Sequence, residues 1–135
     1  MKRLHAADAA ARARVVATLA SALAGESDVA FAVLYGSFVD AEAFHDVDVG
    51  IHLRTEQPGH LFSSHLAQRL SEQVGYPVDV RVLNGAPVSF LFHALRGQVL
   101  VSRDDLLGDV MERTMQRYFD IAPLLRRSAK EAFAS

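Results

Sequence analysis

The sequence predicts an α+β protein built on a small mixed β-sheet with helices packed mainly on one face. Three observations predict it. Short β-branched runs alternate in apolar phase, as at Val47, Val49, Ile51 and Leu53; helical stripes separate them, as at Phe62, Leu66, Leu70 and Val74; and glycine or proline breaks fall between the two kinds of segment. With 135 residues and no internal repeat, Pro/Gly/Ser-rich linker or low-complexity stretch, the chain reads as one domain, 1–135, long enough to bury its own core.

Each element has its own justification. Val15, Val16, Leu19 and Leu23 fall at helical spacing, with Asp8 placed to cap the start and Gly25 to stop the helix. Val29 to Tyr35 is apolar and partly β-branched or aromatic, which predicts a buried strand running into Gly36. Ser37 to Phe44 predicts a loop with a short helical turn. A second strand, Asp46 to Leu53, points Val47, Val49, Ile51 and Leu53 one way and Asp46, Asp48, Gly50 and His52 the other. After Pro58-Gly59 the stripe Phe62, Leu66, Leu70 and Val74 predicts a helix that Gly75-Tyr76-Pro77 ends. The third strand repeats the pattern of the second: Val78, Val80 and Val82 share one face, and Asp79, Arg81 and Leu83 the other. Pro87 opens a short helix to Arg96, Gly97 closes it, and Gln98 to Val101 forms an edge strand. Ser102 with Asp105 resembles a capping box for a final helix, whose apolar side is Leu107, Met111, Thr114, Tyr118, Ile121 and Leu125 and whose charges include Arg113, Arg117, Arg126 and Arg127.

Composition removes several functions. The formal net charge of −2 leaves no broad basic footprint, so neither nucleic acid nor an anionic membrane is expected as a direct partner. The absence of cysteine excludes disulfides, thiolate zinc sites and thiol catalysis, and suits a reducing cytoplasm. The Ala-rich start, Ala6 to Ala24, is broken by Asp8, Arg12 and Arg14, so it predicts neither a signal peptide nor a membrane span. His60 and His65, five apart, fall on different helix faces and do not form a zinc motif.

The chemistry concentrates in Gly36-Ser37, eight intervening residues, and Asp46-Val47-Asp48. Residues two apart on a strand share a face with Cα atoms roughly 6.5–7 Å apart, so Asp46 and Asp48 can reach two cations about 3.5–4 Å apart. Glycine lets backbone approach a phosphate closely, and Ser37 offers both an N–H and a hydroxyl. Asp79 is the next acid in a matching strand phase, so three carboxylates can converge on one sheet face. Gly50 in the same phase leaves room either for a nucleotide or for close packing. Magnesium needs only carboxylate and phosphate oxygens with retained water, and no histidine.

Leu34-Tyr35-Gly36-Ser37-Phe38 through Asp46-Val47-Asp48-Val49-Gly50-Ile51 resembles the signature of the minimal nucleotidyltransferases (MNT type) of the DNA polymerase beta-like superfamily. The resemblance covers most of the chain and implies a polymerase beta-like palm that moves a nucleoside monophosphate from a nucleoside triphosphate and releases pyrophosphate. It implies that Gly36 and Ser37 hold the triphosphate of ATP, that Asp46 and Asp48 hold two Mg²⁺ ions, and that Asp79 is the third ligand and base. It also implies a partner, a HEPN-domain ribonuclease toxin silenced by AMP added to a tyrosine. A non-catalytic antitoxin that merely occupies its toxin, or transfer to a small molecule such as an aminoglycoside, are the alternatives. The spacer Phe38 to His45 departs from the commoner family pattern: it lacks the arginines many members carry there, and its Asp40 and Glu42 would repel a triphosphate unless they face away.

Overall fold

The computed structural model describes residues 3–55 and 59–133. Pro58 therefore lies outside the described residues, as do the side chains of Leu125 and Arg126. In chain order the elements are β1 (His5–Ala6), α1 (Ala9–Ala24), β2 (Val29–Tyr35), α2 (Ser37–Asp40), β3 (Ala43–Phe44), β4 (Val47–Leu53), α3 (Gly59–Val74), β5 (Val78–Val82), α4 (Val88–Ala94), β6 (Gln98–Ser102) and α5 (Leu106–Phe133). The main sheet has the order β5-β4-β2-β6, with β4 antiparallel to β2, β2 antiparallel to β6, and β4 parallel to β5. The sheet is mixed because α3 carries the chain from the end of β4 back to the start of β5, as a parallel pair requires. No described helix is long and apolar enough to cross a membrane.

One face of the sheet carries the valine phase. Val47, Val49, Ile51, Val78 and Val80 pack there with Val15, Leu19 and Leu23 of α1 and Leu66 and Leu70 of α3, all buried. The other face is also partly covered: Phe31 and Val33 of β2 pack with Leu91, Ala94 and Leu95 at α4 and with Val110 of α5. The one-sided expectation thus describes α1 and α3, while α4 and α5 cover the β2 end of the opposite face. The cause lies in β2, whose residues are apolar in both phases, so it needs a layer on each side. Phe92 finds its place against α5, stacked on Tyr118 with ring centroids 3.7 Å apart.

Local chemistry sets the boundaries. Asp8 caps α1, accepting from the Ala11 N–H at 2.8 Å, and Gly75, at φ 80°, takes the left-handed turn that stops α3. The capping box at Ser102 is corrected. Ser102 is the last residue of β6, and it is Asp104 whose carboxylate accepts from the Leu106 N–H at 3.0 Å, because only Asp104 stands two residues before the first turn of α5. The loop expected over 37–44 is more ordered than its composition suggests. It forms α2 and then β3, which pairs with β1 in a separate two-stranded ribbon.

Candidate active site

The strand registers bring the acids together. Tyr35 of β2 lies opposite Asp48 of β4, and Asp48 stands in register with Asp79 of β5. Neighbouring strands are about 4.8 Å apart and paired residues share a face, so Tyr35, Asp48 and Asp79 form one row across the sheet. All three are half-buried. Asp46 lies one residue before β4, in the same alternation phase as Asp48, rather than inside the strand. The backbone there is fixed by the Val47 N–H, which donates to the Pro77 carbonyl at 2.8 Å and so joins the starts of β4 and β5.

Gly36 closes the end of this row. Its φ of 83° and ψ of −161° lie in a region that essentially only glycine occupies. A Cβ built there would overlap the Asp48 carboxylate and come within 3.2 Å of its Cγ. The glycine is therefore required both by the turn and by the close approach of Asp48 to the backbone that leads into α2. Ser37, exposed, is the first residue of α2, a single turn in which the Val39 and Asp40 N–H groups already donate to the Gly36 carbonyl. Gly50 is explained differently: Leu83 Cδ2 would sit 2.9 Å from a Cβ at that position, so the room beside Gly50 is filled by Leu83.

The electrostatics of the row show in Tyr35. Burial, reinforced by the charges of Asp48 and Asp79 and opposed by Arg81, pushes its phenol up to about 12. At neutral pH the hydroxyl is protonated and uncharged beside the carboxylates. Arg81 reaches Asp79 at 3.3 Å between Nε and Oδ2 in an exposed ion pair, and its guanidinium lies 5.6 Å from the centre of the Phe90 ring. His52 shares the face but lies farther along β4, stacked on Phe31 with centroids 5.0 Å apart.

The segment between Gly36 and Asp46 is held from behind by Arg12. Its guanidinium donates to the carbonyls of Phe38, Ala41 and Glu42, while Nε donates to Ala7, and it sits over the rings of Phe38 and Phe44. In front lies a cleft of about 220 Å³ lined by Tyr35, Gly36, Val39, Asp40, His93, Arg96 and Gly97. Of the two spacer acids, Asp40 lines both this cleft and an open groove of about 680 Å³ beside it, whereas Glu42 lines the groove alone, with Asp8 and Arg12. Tyr35 and Arg12 were not legible as site residues from sequence. Tyr35 had one available signal, a polar aromatic in the phase of Phe31 and Val33 immediately before Gly36; Arg12 had none.

The family model described as polymerase beta, nucleotidyltransferase, matches residues 17–106. The chain belongs to this nucleotidyltransferase family. No curated protein matches the sequence significantly. Among solved structures, the toxin–antitoxin MntA–HepT contains a chain that superposes with TM-score 0.66 at 13% identity, over 93% of this chain and 98% of that one. The complex of a tri-AMPylated Shewanella oneidensis HEPN toxin with its MNT antitoxin does so with TM-score 0.66 at 14% identity, over 91% and 96%. A toxin–antitoxin structure with AMP-PNP gives TM-score 0.72 at 14% identity, over 87% and 97%. At such identities the likeness is one of fold, and it spans nearly the whole of each chain.

Asp46, Asp48 and Asp79 suit Mg²⁺ by donor chemistry, since all supply hard carboxylate oxygens, and the elevated Tyr35 phenol registers the negative field of two of them. Among the described residues no three His, Asp or Glu side chains are already drawn together closely enough to hold an ion alone.

Proposed function

We propose that this protein, one nucleotidyltransferase domain over 1–135, is a Mg²⁺-dependent protein adenylyltransferase of the cytoplasm. It moves AMP from ATP to a hydroxyl, a tyrosine, of a cognate HEPN-domain toxin, and so acts as the antitoxin. The observation that carries this reading is the register that stands Asp48 beside Asp79 at the edge of a glycine required by its own backbone angles. Family membership supports nucleotidyl transfer, and the neighbouring structures, one with an AMPylated HEPN toxin and one with AMP-PNP, support the acceptor and the nucleotide.

In the mechanism the backbone at Gly36 and Ser37 receives the triphosphate, with the glycine allowing close approach and Ser37 offering its N–H and hydroxyl. Asp46, Asp48 and Asp79 would hold two Mg²⁺ ions, which would neutralise phosphate charge. The acceptor oxygen attacks the α-phosphorus as the bond from that phosphorus to the bridging oxygen breaks. Pyrophosphate leaves with the bonding electron pair, and the acceptor's proton passes to the Asp79 carboxylate. Tyr35 keeps its proton throughout, so it adds no further negative charge to the row.

The Arg81–Asp79 ion pair favours a second reading, in which the fold neutralises the toxin by occupancy and Asp79 is a solvated surface group. ATP labelled at either the α- or the γ-phosphate separates the readings when mixed with the protein, Mg²⁺ and the HEPN partner. Transfer puts α-label and no γ-label on the partner. A stable complex without label supports occupancy, and α-label on an added aminoglycoside but not on protein would reassign the acceptor.

A further inference from the structure

The segment from Ser37 to Asp46 contains no lysine or arginine, so the loop proposed to meet the triphosphate brings acids and no permanent cation. A triphosphate carries several negative charges, and a site that binds it needs compensating donors beyond backbone N–H groups. The cleft in front of Gly36 supplies two, both from outside the loop. His93, in the last turn of α4, and Arg96, two residues past that helix, line it together with Gly36 and Tyr35.

The sheet fixes this placement. β6 pairs with β2 with Gln98 opposite Leu34, so the turn that closes α4, with Arg96 and Gly97, enters β6 at the Tyr35–Gly36 end of β2. Gly97 tightens the junction: a Cβ there would run into the Leu34 carbonyl and approach Tyr35 Cβ within 3.1 Å, so α4 and β6 meet the end of β2 closer than any other residue allows. The Arg96 guanidinium rests over the Phe92 ring, 5.4 Å from its centre, and Phe92 is itself stacked on Tyr118 of α5. Arg96 therefore stands between the cleft and an apolar groove that it lines with Phe92, Met111 and Phe119 on the α5 side. Among the described residues Asp40 is the one acid lining the cleft.

We infer that Arg96, assisted by His93, binds the β- and γ-phosphates of the nucleoside triphosphate and receives the charge of the departing pyrophosphate, replacing cations the loop lacks. This rests on the nucleotidyltransferase reading above. The bland account is that both side chains only complement the C-terminal dipole of α4, which would affect stability and not ligand choice.

The test compares AMP-PNP, pyrophosphate and AMP as ligands for the wild-type protein, Arg96→Gln, Arg96→Lys and His93→Gln, with melting temperature as the folding control. The inference expects Arg96→Gln to weaken AMP-PNP and pyrophosphate about tenfold or more while AMP changes less than about twofold, since only the first two present terminal phosphates. Arg96→Lys recovers part of the loss, and His93→Gln shows a smaller loss of the same selectivity. Equal losses for all three ligands, or none in a folded Arg96→Gln, overturn the inference and leave the transferase reading standing. A wild-type protein that binds neither AMP-PNP nor pyrophosphate overturns both.

Discussion

Gly36 is the residue on which the site's geometry turns, because its backbone angles and the Asp48 carboxylate each forbid a side chain. Gly36→Ala must distort the turn or displace Asp48. The expected cost is about 1–3 kcal/mol of stability together with loss of nucleotidyl transfer. Denaturant titration and the transfer assay check this, and an alanine variant of wild-type stability and activity would contradict it. His52 makes a second residue-scale prediction. Burial, aided by Arg113 and opposed by the Leu53 backbone and Asp104, holds its imidazole below the ordinary 6.5. The unfolded chain therefore binds a proton at a higher pH than the native protein does. This contribution is complete above about pH 6.5 and is lost progressively as the pH falls from there toward the lower folded value. Replacing His52 with Phe is expected to flatten that part of the stability–pH curve; an unchanged slope would assign it to other groups.

At the scale of elements, the most consequential contact is between α1 and the segment joining β2 to β4. Arg12 donates to three carbonyls of that segment and covers two of its rings, so a helix remote from the acids fixes the distance between Gly36 and Asp46. Arg12→Ala is expected to cost about 2–3 kcal/mol, as carbonyls lose charged donors, and to lower transfer through a higher KM for ATP. Thermal melting and steady-state kinetics check both, and a variant that melts lower with unchanged kinetics would confine Arg12 to stability. The same element shows where sequence reading stops. The alternation of Val47 to Leu53 and of Val78 to Val82 made the strands and their acid phase legible, because side-chain period is a local property. Arg12 reads locally as a charge interrupting an Ala-rich helix, since its partners are 26 to 30 residues away. The β1–β3 ribbon escaped for a similar reason: two-residue strands carry no period.

For the whole molecule, function depends on strand order more than on any one motif. Phase placed Asp48 and Asp79 each on a non-valine face, but only the parallel pairing of β4 with β5 makes them neighbours, and register is a tertiary property. The same strand order sets β6 beside β2 and so brings His93 and Arg96 to Gly36, a convergence from some 60 residues away that no local pattern announces. Helices on both faces leave the row of Tyr35, Asp48 and Asp79 half-buried where β2, β4 and β5 lie side by side. The most direct test of this account replaces Asp48 with Asn and follows α-phosphate label and complex formation together, with Mg²⁺, ATP and the HEPN partner present. The account predicts a folded variant that still binds the partner but transfers label at least about a hundredfold more slowly. Label incorporation at the wild-type rate would contradict it.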